Sequence, residues 1–490
     1  MGRLMVIIGR DTERNLLNKI YLSKEAELLA VHGRRRVGKT YLIKHYFQSK
    51  QCIYFQITGI KNAKSSIQLE RYTRVLSDVF YPGLSLKTPS TWMNAFEDLT
   101  QAIAKIPVTK KIVLFFDELP WLASRKSGVL QALEYFWNRY WVDDKRLKLV
   151  VCGSSSSWII DKIIKNRAGL HNRVTRKLRL MPLNLSASKQ FLAHLDVCLT
   201  QKQLLKLYMA TGGIPYYLKQ IEKTLSVDQN INQLFFNTDG LFFDEFEEVF
   251  ASLFDNADSH KELVEIISRA QEGISRNELE KQNKSTGVGG YLTKRLNDLE
   301  SAGFISSYIP FQHKRRGTFY RISDEYCYFY LKWVQPIKSQ LKRENKTQYW
   351  LNVVNTPSYH SWSGYAFENI CYKHINHIRS ALSLPSSSLA SPWRYSPTKE
   401  SNGNGAQIDL LFDRPDNAIT ICEIKYTDKP FVTTKTYAEV LATKVEVFQK
   451  ITKTQKQTFL SLISVNGIKK NKYTDSLVTQ VLQLEDLFDG

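Results

Sequence analysis

Cysteine is scarce and scattered. The six thiols (Cys52, Cys152, Cys198, Cys327, Cys371, Cys422) form no CxxC pair and no Cys/His cluster. That argues against disulfides and zinc and points to a reducing compartment. Long apolar runs are also missing. The one near the N-terminus, Leu4 to Ile8, is too short for a signal peptide or a membrane span. The expected location is the cytoplasm, with no membrane-embedded part. No internal repeat occurs at fixed spacing. Acidic residues are short against basic ones, 47 to 68, leaving a net charge of +21. Such an imbalance favours a polyanionic partner, with nucleic acid first and an anionic membrane surface second.

What remains is ordinary for a folded protein. The 490 residues are 43% hydrophobic and 12% aromatic, enough for about two to four domains. Residues 26–181 alternate apolar runs with amphipathic stretches, the pattern of a parallel α/β sheet. Strands are expected at Glu27–His32, Cys52–Ile57, Ile112–Phe116, Leu147–Cys152 and Lys177–Leu180. Helices are expected at Thr40–Phe47, Trp92–Ala104 and Val129–Tyr140. Helix dominates from about 186 to 255, as in Lys202–Ala210. Residues 258–322 then read as three helices (Leu263–Ala270, Arg276–Gln282, Tyr291–Ala302) and a hairpin (Phe304–Pro310, Thr318–Ile322), the outline of a winged helix. An aromatic run, Tyr326 to Val334, leads to a last domain. Inside it Ser383–Gln407 reads as a long loop, followed by strands Gln407–Asp413 and Ala418–Lys425 around the turn Arg414–Asn417.

Gly33-Arg34-Arg35-Arg36-Val37-Gly38-Lys39-Thr40 satisfies G-x-x-x-x-G-K-[ST] between a strand and a helix. Gly33 and Gly38 let the backbone curl so that its amides face phosphates. Lys39 supplies a cation to the β/γ oxygens, and Thr40 offers a hydroxyl to Mg²⁺. The alternative is a Gly-Lys turn between strand and helix. In Val113-Leu114-Phe115-Phe116-Asp117-Glu118 two carboxylates leave the end of an apolar strand. Asp117 is expected to hold Mg²⁺ through water and Glu118 to polarise the attacking water, unless both merely cap the next helix. A further strand, Leu149–Cys152, ends in Gly153-Ser154, which sets the Ser154 hydroxyl to sense the γ-phosphate.

This order of P-loop, acidic and polar strands resembles the AAA+ NTPases, and more closely a family of archaeal and bacterial ATPases related to the STAND switch NTPases. Gly9-Arg10-Asp11-Thr12-Glu13 matches that family's G-R-x-x-E, so the resemblance implies that Arg10 lies by the adenine. Thr211-Gly212-Gly213-Ile214-Pro215-Tyr216-Tyr217 matches its G-G-x-P-Y segment, which implies that Pro215 helps close the nucleotide site. The family's arginine segment, usually L-Y-G-R, is Leu170-His171-Asn172-Arg173 here. Arg173 is thus the first choice for an arginine finger, with Arg167 and Arg176 as rivals. A finger acting in trans would make the protein a homo-oligomer.

In the winged-helix segment, Lys294, Arg295 and Asn297 share a helix face, with Leu292, Leu296 and Leu299 at core spacing. The hairpin tip adds Lys314, Arg315 and Arg316. Together they form either a DNA grip or a rigid spacer.

Three C-terminal segments carry acids: Glu368 in an expected helix, Asp409 in one strand, and Glu423 with Lys425 in the next. Glu423 and Lys425 are two apart and share a face. A hairpin would bring Asp409 beside them, a site for a hard divalent cation and an activated water. An ion pair decorating a strand is the plainer alternative. The D…E-x-K arrangement, with thirteen residues between Asp409 and Glu423, resembles the PD-(D/E)XK nucleases. That resemblance implies Mg²⁺ on Glu368, Asp409 and Glu423, with Lys425 orienting or activating the nucleophilic water. The ATPase family often ends in such a domain, and Leu484–Phe488 resembles its terminus.

The expected fold class is therefore α/β. A P-loop AAA+ type parallel sheet (1–185) carries a helical lid (186–255), followed by a winged helix (256–335) and an α/β restriction-endonuclease-like domain (336–490). The expected function is ATP binding and hydrolysis coupled to a Mg²⁺-dependent DNA nuclease. By family analogy this belongs to a mobile-element or antiphage system. The alternative is an ATP-driven switch whose last domain binds DNA or a protein without cutting. A DNA-bound regulator acting through the winged helix is a third reading.

Overall fold

The computed structural model describes residues 6–165, 172–283, 287, 289–313, 317–343, 348–397 and 405–488. The chain divides into two compact units, one of Met1–Pro182 with Asn297–Ala302, the other of Leu183–Leu296 with Gly303–Gly490.

The first unit is built on five parallel strands: β1 (Glu27–His32), β2 (Cys52–Thr58), β3 (Lys111–Asp117), β4 (Leu147–Cys152) and β5 (Arg176–Arg179). They lie in the order β2-β3-β4-β1-β5. β1 and β4 are buried along their whole length, as expected of strands covered on both faces. One face packs Leu99, Phe116, Phe136, Trp137 and Trp141 with their neighbours. The other packs Leu17, Ile20, Leu42, Ile43 and Phe47. Lys148 interrupts the apolar pattern of β4, yet is fully buried. Its ammonium donates to the carbonyls of Ser23 at 3.1 Å and Lys145 at 3.2 Å, which replaces the lost water. The last strand sits one residue earlier than expected from its apolar pattern. The helix expected over Val129–Tyr140 is α-helical only to Phe136, and Trp137–Trp141 widens into a π turn. Both tryptophans of that turn are buried.

This strand order decides where the chemistry falls. β4 lies between β1 and β3, so the P-loop after β1, Ser154 after β4 and the two acids at the end of β3 leave adjacent strands on one edge. Ligands of parallel α/β sheets bind at that carboxyl edge.

The second unit begins with helices Leu185–His194, Gln201–Thr211, Pro215–Leu218, Val227–Phe236 and Glu245–Leu253. Helices Ala257–Arg269, Arg276–Gln282 and Gly290–Ala302 follow, the last counted with the first unit from Asn297 on, with a small antiparallel sheet of β6 (Ile274–Ser275), β7 (Ile305–Tyr308) and β8 (Phe319–Ile322) in the order β6-β8-β7. Leu292, Leu296 and Leu299 are buried, and Lys294 and Asn297 are exposed. The basic tip Lys314, Arg315 and Arg316 lies outside the described residues.

Helix Pro357–Lys373 then leads to a second five-stranded sheet of β9 (Leu389–Tyr395), β10 (Ala406–Asp413), β11 (Ala418–Lys425), β12 (Gln457–Ser464) and β13 (Gln480–Leu482). The order is β13-β12-β11-β10-β9, antiparallel from β9 to β11 and parallel from β11 to β13. β9 corrects the expectation of a continuous loop over Ser383–Gln407. Its Ser-Pro sequence reads as a breaker, but β9 is an edge strand, where Pro392 needs no amide partner on its open side. The pairing of β10 with β9 slips between Ile408 and Leu411. Asp409 therefore sits on a bulge, a device that re-aims a side chain.

Candidate functional site

The P-loop is held by contacts on several sides. Gly33 has φ 141°, and a Cβ there would lie 2.2 Å from the Leu180 carbonyl oxygen. Its amide donates to Ser156 Oγ at 3.0 Å, a buried hydroxyl that sequence reasoning passed over within the Gly-Ser run. Arg36 and Gly38 take positive φ (70° and 92°), curling the loop. Arg10 is buried and donates to Glu13 Oε1 at 3.2 Å, to Met181 O at 2.8 Å and to Val37 O at 3.2 Å. It thus ties the loop to the chain leaving β5. The G-R-x-x-E motif is visible here as one ion pair and two carbonyl contacts.

Lys39 is buried, and its Nζ donates to the carbonyls of Gly33 at 2.8 Å and Arg34 at 3.0 Å. Burial pulls its pKa down, opposed by the nearby acids Glu118 and Asp117. An anion entering the loop would restore what burial removed. Thr40 Oγ1 lies 3.1 and 2.9 Å from the two Asp117 carboxylate oxygens. Burial, and then the charge of Glu118, push the Asp117 carboxyl up to about 6. A hydroxyl and a carboxylate this close form a hard-oxygen donor pair that fits Mg²⁺. Glu118 follows in a left-handed conformation, φ 47°, which costs a non-glycine residue about 1–3 kcal/mol. Its Oε2 accepts from Ser154 N at 2.9 Å and Ser154 Oγ at 2.8 Å. Ser154, expected from sequence beside the γ-phosphate, thus holds the Glu118 carboxylate through two hydrogen bonds. His32, at the end of β1, is held down to about 4 by burial, with Arg179 and Lys39 adding to it.

Arg173 is exposed and Arg176 opens β5, whereas Arg167, Leu170 and His171 lie outside the described residues. Pro215 starts a short helix in the second unit. The glycine before it in the motif, Gly213, has φ 68° and would place a Cβ 2.1 Å from the Leu183 carbonyl oxygen.

The acids of the second unit form a separate cluster. β10 and β11 pair with Leu410 opposite Cys422, and Asp409 Oδ2 accepts from Ile424 N at 3.3 Å. Glu423 is 2% exposed. Its carboxylate meets Lys425 Nζ at 2.9 Å and Lys444 Nζ at 2.8 Å, and accepts from the Tyr437 hydroxyl. Tyr437 and Lys444 come from helix Lys435–Thr452 and were not expected. Their seven-residue spacing, two helical turns on one face, was the signal available. Burial pushes the Glu423 carboxyl up, but the two ammonium groups outweigh it and hold the group below its usual range. Burial, and then Glu423, push Asp409 up to about 6. Glu368 is pushed well above the carboxylate range by burial, then by Asp409 and Glu423. Burial pulls Lys425 down, but Glu423 outweighs it and keeps the ammonium charged well past neutral pH.

Three carboxylates that repel one another suit a hard cation. They do not yet converge on one point. Among the described residues no group of three or more His, Cys, Asp or Glu side chains is arranged to hold a metal ion. Nor is any described helix long and apolar enough to cross a membrane.

Residues 8–221 match a family of ATPase domains found predominantly in Archaea. The P-loop geometry and this match make the protein P-loop ATPase-like, with ATP as its ligand and ATP hydrolysis as its activity. Residues 330–440 match a family of archaeal and bacterial proteins of unknown function. The uncharacterized protein MJECL04 of Methanocaldococcus jannaschii is 23% identical over 434 residues, 86% of this chain and 88% of that protein. The uncharacterized ATP-binding protein MJ0423 of the same organism is 35% identical over 51 residues, 10% of this chain and 86% of that protein. Among solved structures, the Walker-type ATPase PABY2304 of Pyrococcus abyssi aligns with a TM-score of 0.47 at 16% identity, covering 66% of this chain and 96% of that one. The ORC2 protein of Aeropyrum pernix aligns with a TM-score of 0.45 at 14% identity, covering 68% and 94%.

Proposed function

We propose that ATP binding and hydrolysis in the first unit govern a Mg²⁺-dependent DNA nuclease in the C-terminal part of the second, in a mobile-element or antiphage setting. The observation that carries this reading is the β10/β11 pairing, which sets Asp409 beside Glu423, two residues from Lys425. In the first unit Thr40 and Asp117 would hold the Mg²⁺ of ATP, Lys39 the terminal phosphates, and Glu118 the attacking water. Arg173 is the proposed finger, which in trans would require a second copy of this chain, and Pro215 the proposed closing residue. In the second unit Asp409, Glu368 and Glu423 would hold Mg²⁺, which when bound supplies charge neutralisation and a more acidic water. Lys425, kept charged by Glu423, is a donor that orients rather than a base. The net charge of +21 supports DNA as the partner.

Plasmid nicking, with and without ATP and Mg²⁺, tests the whole reading. Parent protein should cut only with Mg²⁺, and Glu423→Gln and Lys425→Ala should abolish cutting while ATP turnover continues. Both variants cutting at the parental rate would overturn the assignment. Lys39→Ala should remove ATP binding. Retained binding would sink the P-loop reading.

A second reading has its own support. Lys425 and Lys444 already neutralise Glu423, as in a domain that keeps the fold and does not cut. There the chain is an ATP-driven switch that binds DNA or a protein through its last domain. Calorimetry with Mn²⁺ separates the two: uptake that Asp409→Asn abolishes favours the nuclease, and no uptake favours the switch.

A further inference from the structure

A cleft of about 420 Å³ opens within the second unit, lined by Asp409 and Glu368 on one side and by Tyr308 and Arg321 of the small sheet on the other. The small sheet is docked there by several contacts. Phe311 N donates to Pro392 O at 3.0 Å, and Gln312 Nε2 donates to Thr452 O at 3.0 Å. The Phe311 ring packs 5.6 Å from Phe448, and Glu272 pairs with Arg394. Phe311 and Gln312, just before the expected wing tip, are thus engaged by β9 and by helix Lys435–Thr452. Arg321 occupies the wall facing the acids. Its guanidinium lies 3.3 Å from the ring centre of Tyr372 and 5.0 Å from that of Tyr308. Tyr372 in turn donates its hydroxyl to the Asp409 carbonyl. Among the described residues no carboxylate forms an ion pair with Arg321, whose Nε donates to Ser306 Oγ at 3.4 Å and whose charge acts on Glu368, while Glu272 in the cleft wall is matched by Arg394.

We infer that the small sheet completes the proposed nuclease site, and that the cleft admits one polynucleotide strand, with Arg321 gripping its phosphate, rather than a duplex. This rests on the nuclease reading of Asp409 and Glu368. The size is that of a pocket for one ligand-sized group, within the ~300–1,000 Å³ usual for such sites. Tyr308 and Tyr372 are committed to the Arg321 guanidinium and Trp393 is buried in the core, so the strand is held through its phosphate rather than by base stacking. Two flanking rings hold the guanidinium in place, so little side-chain freedom is lost when it takes up a phosphate. Arg321 is a substrate-binding residue here, supplied by a segment that would otherwise be read as a free-standing DNA-binding module.

The test is fluorescence anisotropy on the full chain in Ca²⁺, with a labelled single-stranded oligonucleotide and the matching duplex. The single strand should bind at least about tenfold more tightly, and Arg321→Ala should weaken it about tenfold. Duplex binding should stay unchanged, and Arg321→Lys should recover part of the loss. An unchanged melting transition of the second unit, the one ATP does not raise, shows that Arg321→Ala is folded. Equal affinity for duplex, or a single-strand affinity untouched by Arg321→Ala, overturns the inference and leaves the small sheet as a cover that must move. Nicking in Mg²⁺ separates the two levels. Arg321-dependent strand binding without any cutting removes the nuclease reading and keeps the cleft. Duplex cutting indifferent to Arg321→Ala removes the cleft assignment and keeps the nuclease.

Discussion

The two P-loop glycines serve one motif, yet the structure separates their demands. Both have left-handed φ values, 141° at Gly33 and 92° at Gly38. An alanine at either position inherits a backbone cost of about 1–3 kcal/mol. Nothing lies within 4 Å of a Cβ at Gly38, so the cost ends there. At Gly33 the added carbon would sit 2.2 Å from the Leu180 carbonyl oxygen and 3.1 Å from its carbon. That neighbour is backbone, and backing it away opens the contact between loop and β5. Overpacking of this kind adds about 1–3 kcal/mol. For a unit of this size each kcal/mol lowers the melting point by about 2–4 °C. Gly33→Ala should therefore melt roughly 2–12 °C below Gly38→Ala. Calorimetry on the full chain measures this, reading the transition that ATP raises, since only the folded P-loop unit binds it. The two variants melting together would refute the close approach as the reason for Gly33.

Three further outcomes follow from the same site. Ser154→Ala removes the hydroxyl bond to Glu118, a charged hydrogen bond worth about 1.5–3 kcal/mol. ATP turnover should fall about 10- to 100-fold with nucleotide affinity kept, and an unchanged kcat would show that Ser154 does not orient Glu118. Because Asp117 is raised to about 6, its folded form keeps a proton that the unfolded chain has already lost. Its contribution to stability therefore declines as pH rises from the ordinary carboxylate range through 6, and Mg²⁺ binding near pH 6 should release a proton. Calorimetry in two buffers of different ionisation enthalpy reads that proton, and its persistence in Asp117→Asn would contradict the assignment. Arg10→Ala severs the bonds to Val37 and Met181, at a cost of about 1.5–3 kcal/mol. It should both lower the melting transition and weaken ATP binding, and loss of neither would leave Arg10 a bystander.

Much of this was legible in the chain. The P-loop spacing, the apolar strand ending in Asp117-Glu118 and the Glu423/Lys425 alternation are local patterns, each carried by a single segment and each with a plainer alternative. The strands of the first sheet were placed within about a residue because buried parallel strands are short apolar runs. Tyr437, Lys444 and Arg321 were not legible, since the spacing of the first two marks a shared helix face but not the strand it meets, and Arg321 reaches Tyr372 only through the docking of two sheets. β9 was hidden by a local signal of the opposite sense, for Ser and Pro suggest loop until an edge position is known.

Composition and spacing alone determined a basic α/β chain with a nucleotide-binding loop, because those traits belong to single segments. Tertiary structure decided that Ser154 holds Glu118, that two lysines and a tyrosine claim Glu423, and that Arg321 faces the acids across a narrow cleft. Those are contacts between elements far apart in the chain, set by strand order, by one bulge and by the docking of the small sheet. Backbone pairing and packing create such neighbours, and no stretch of residues encodes them by itself.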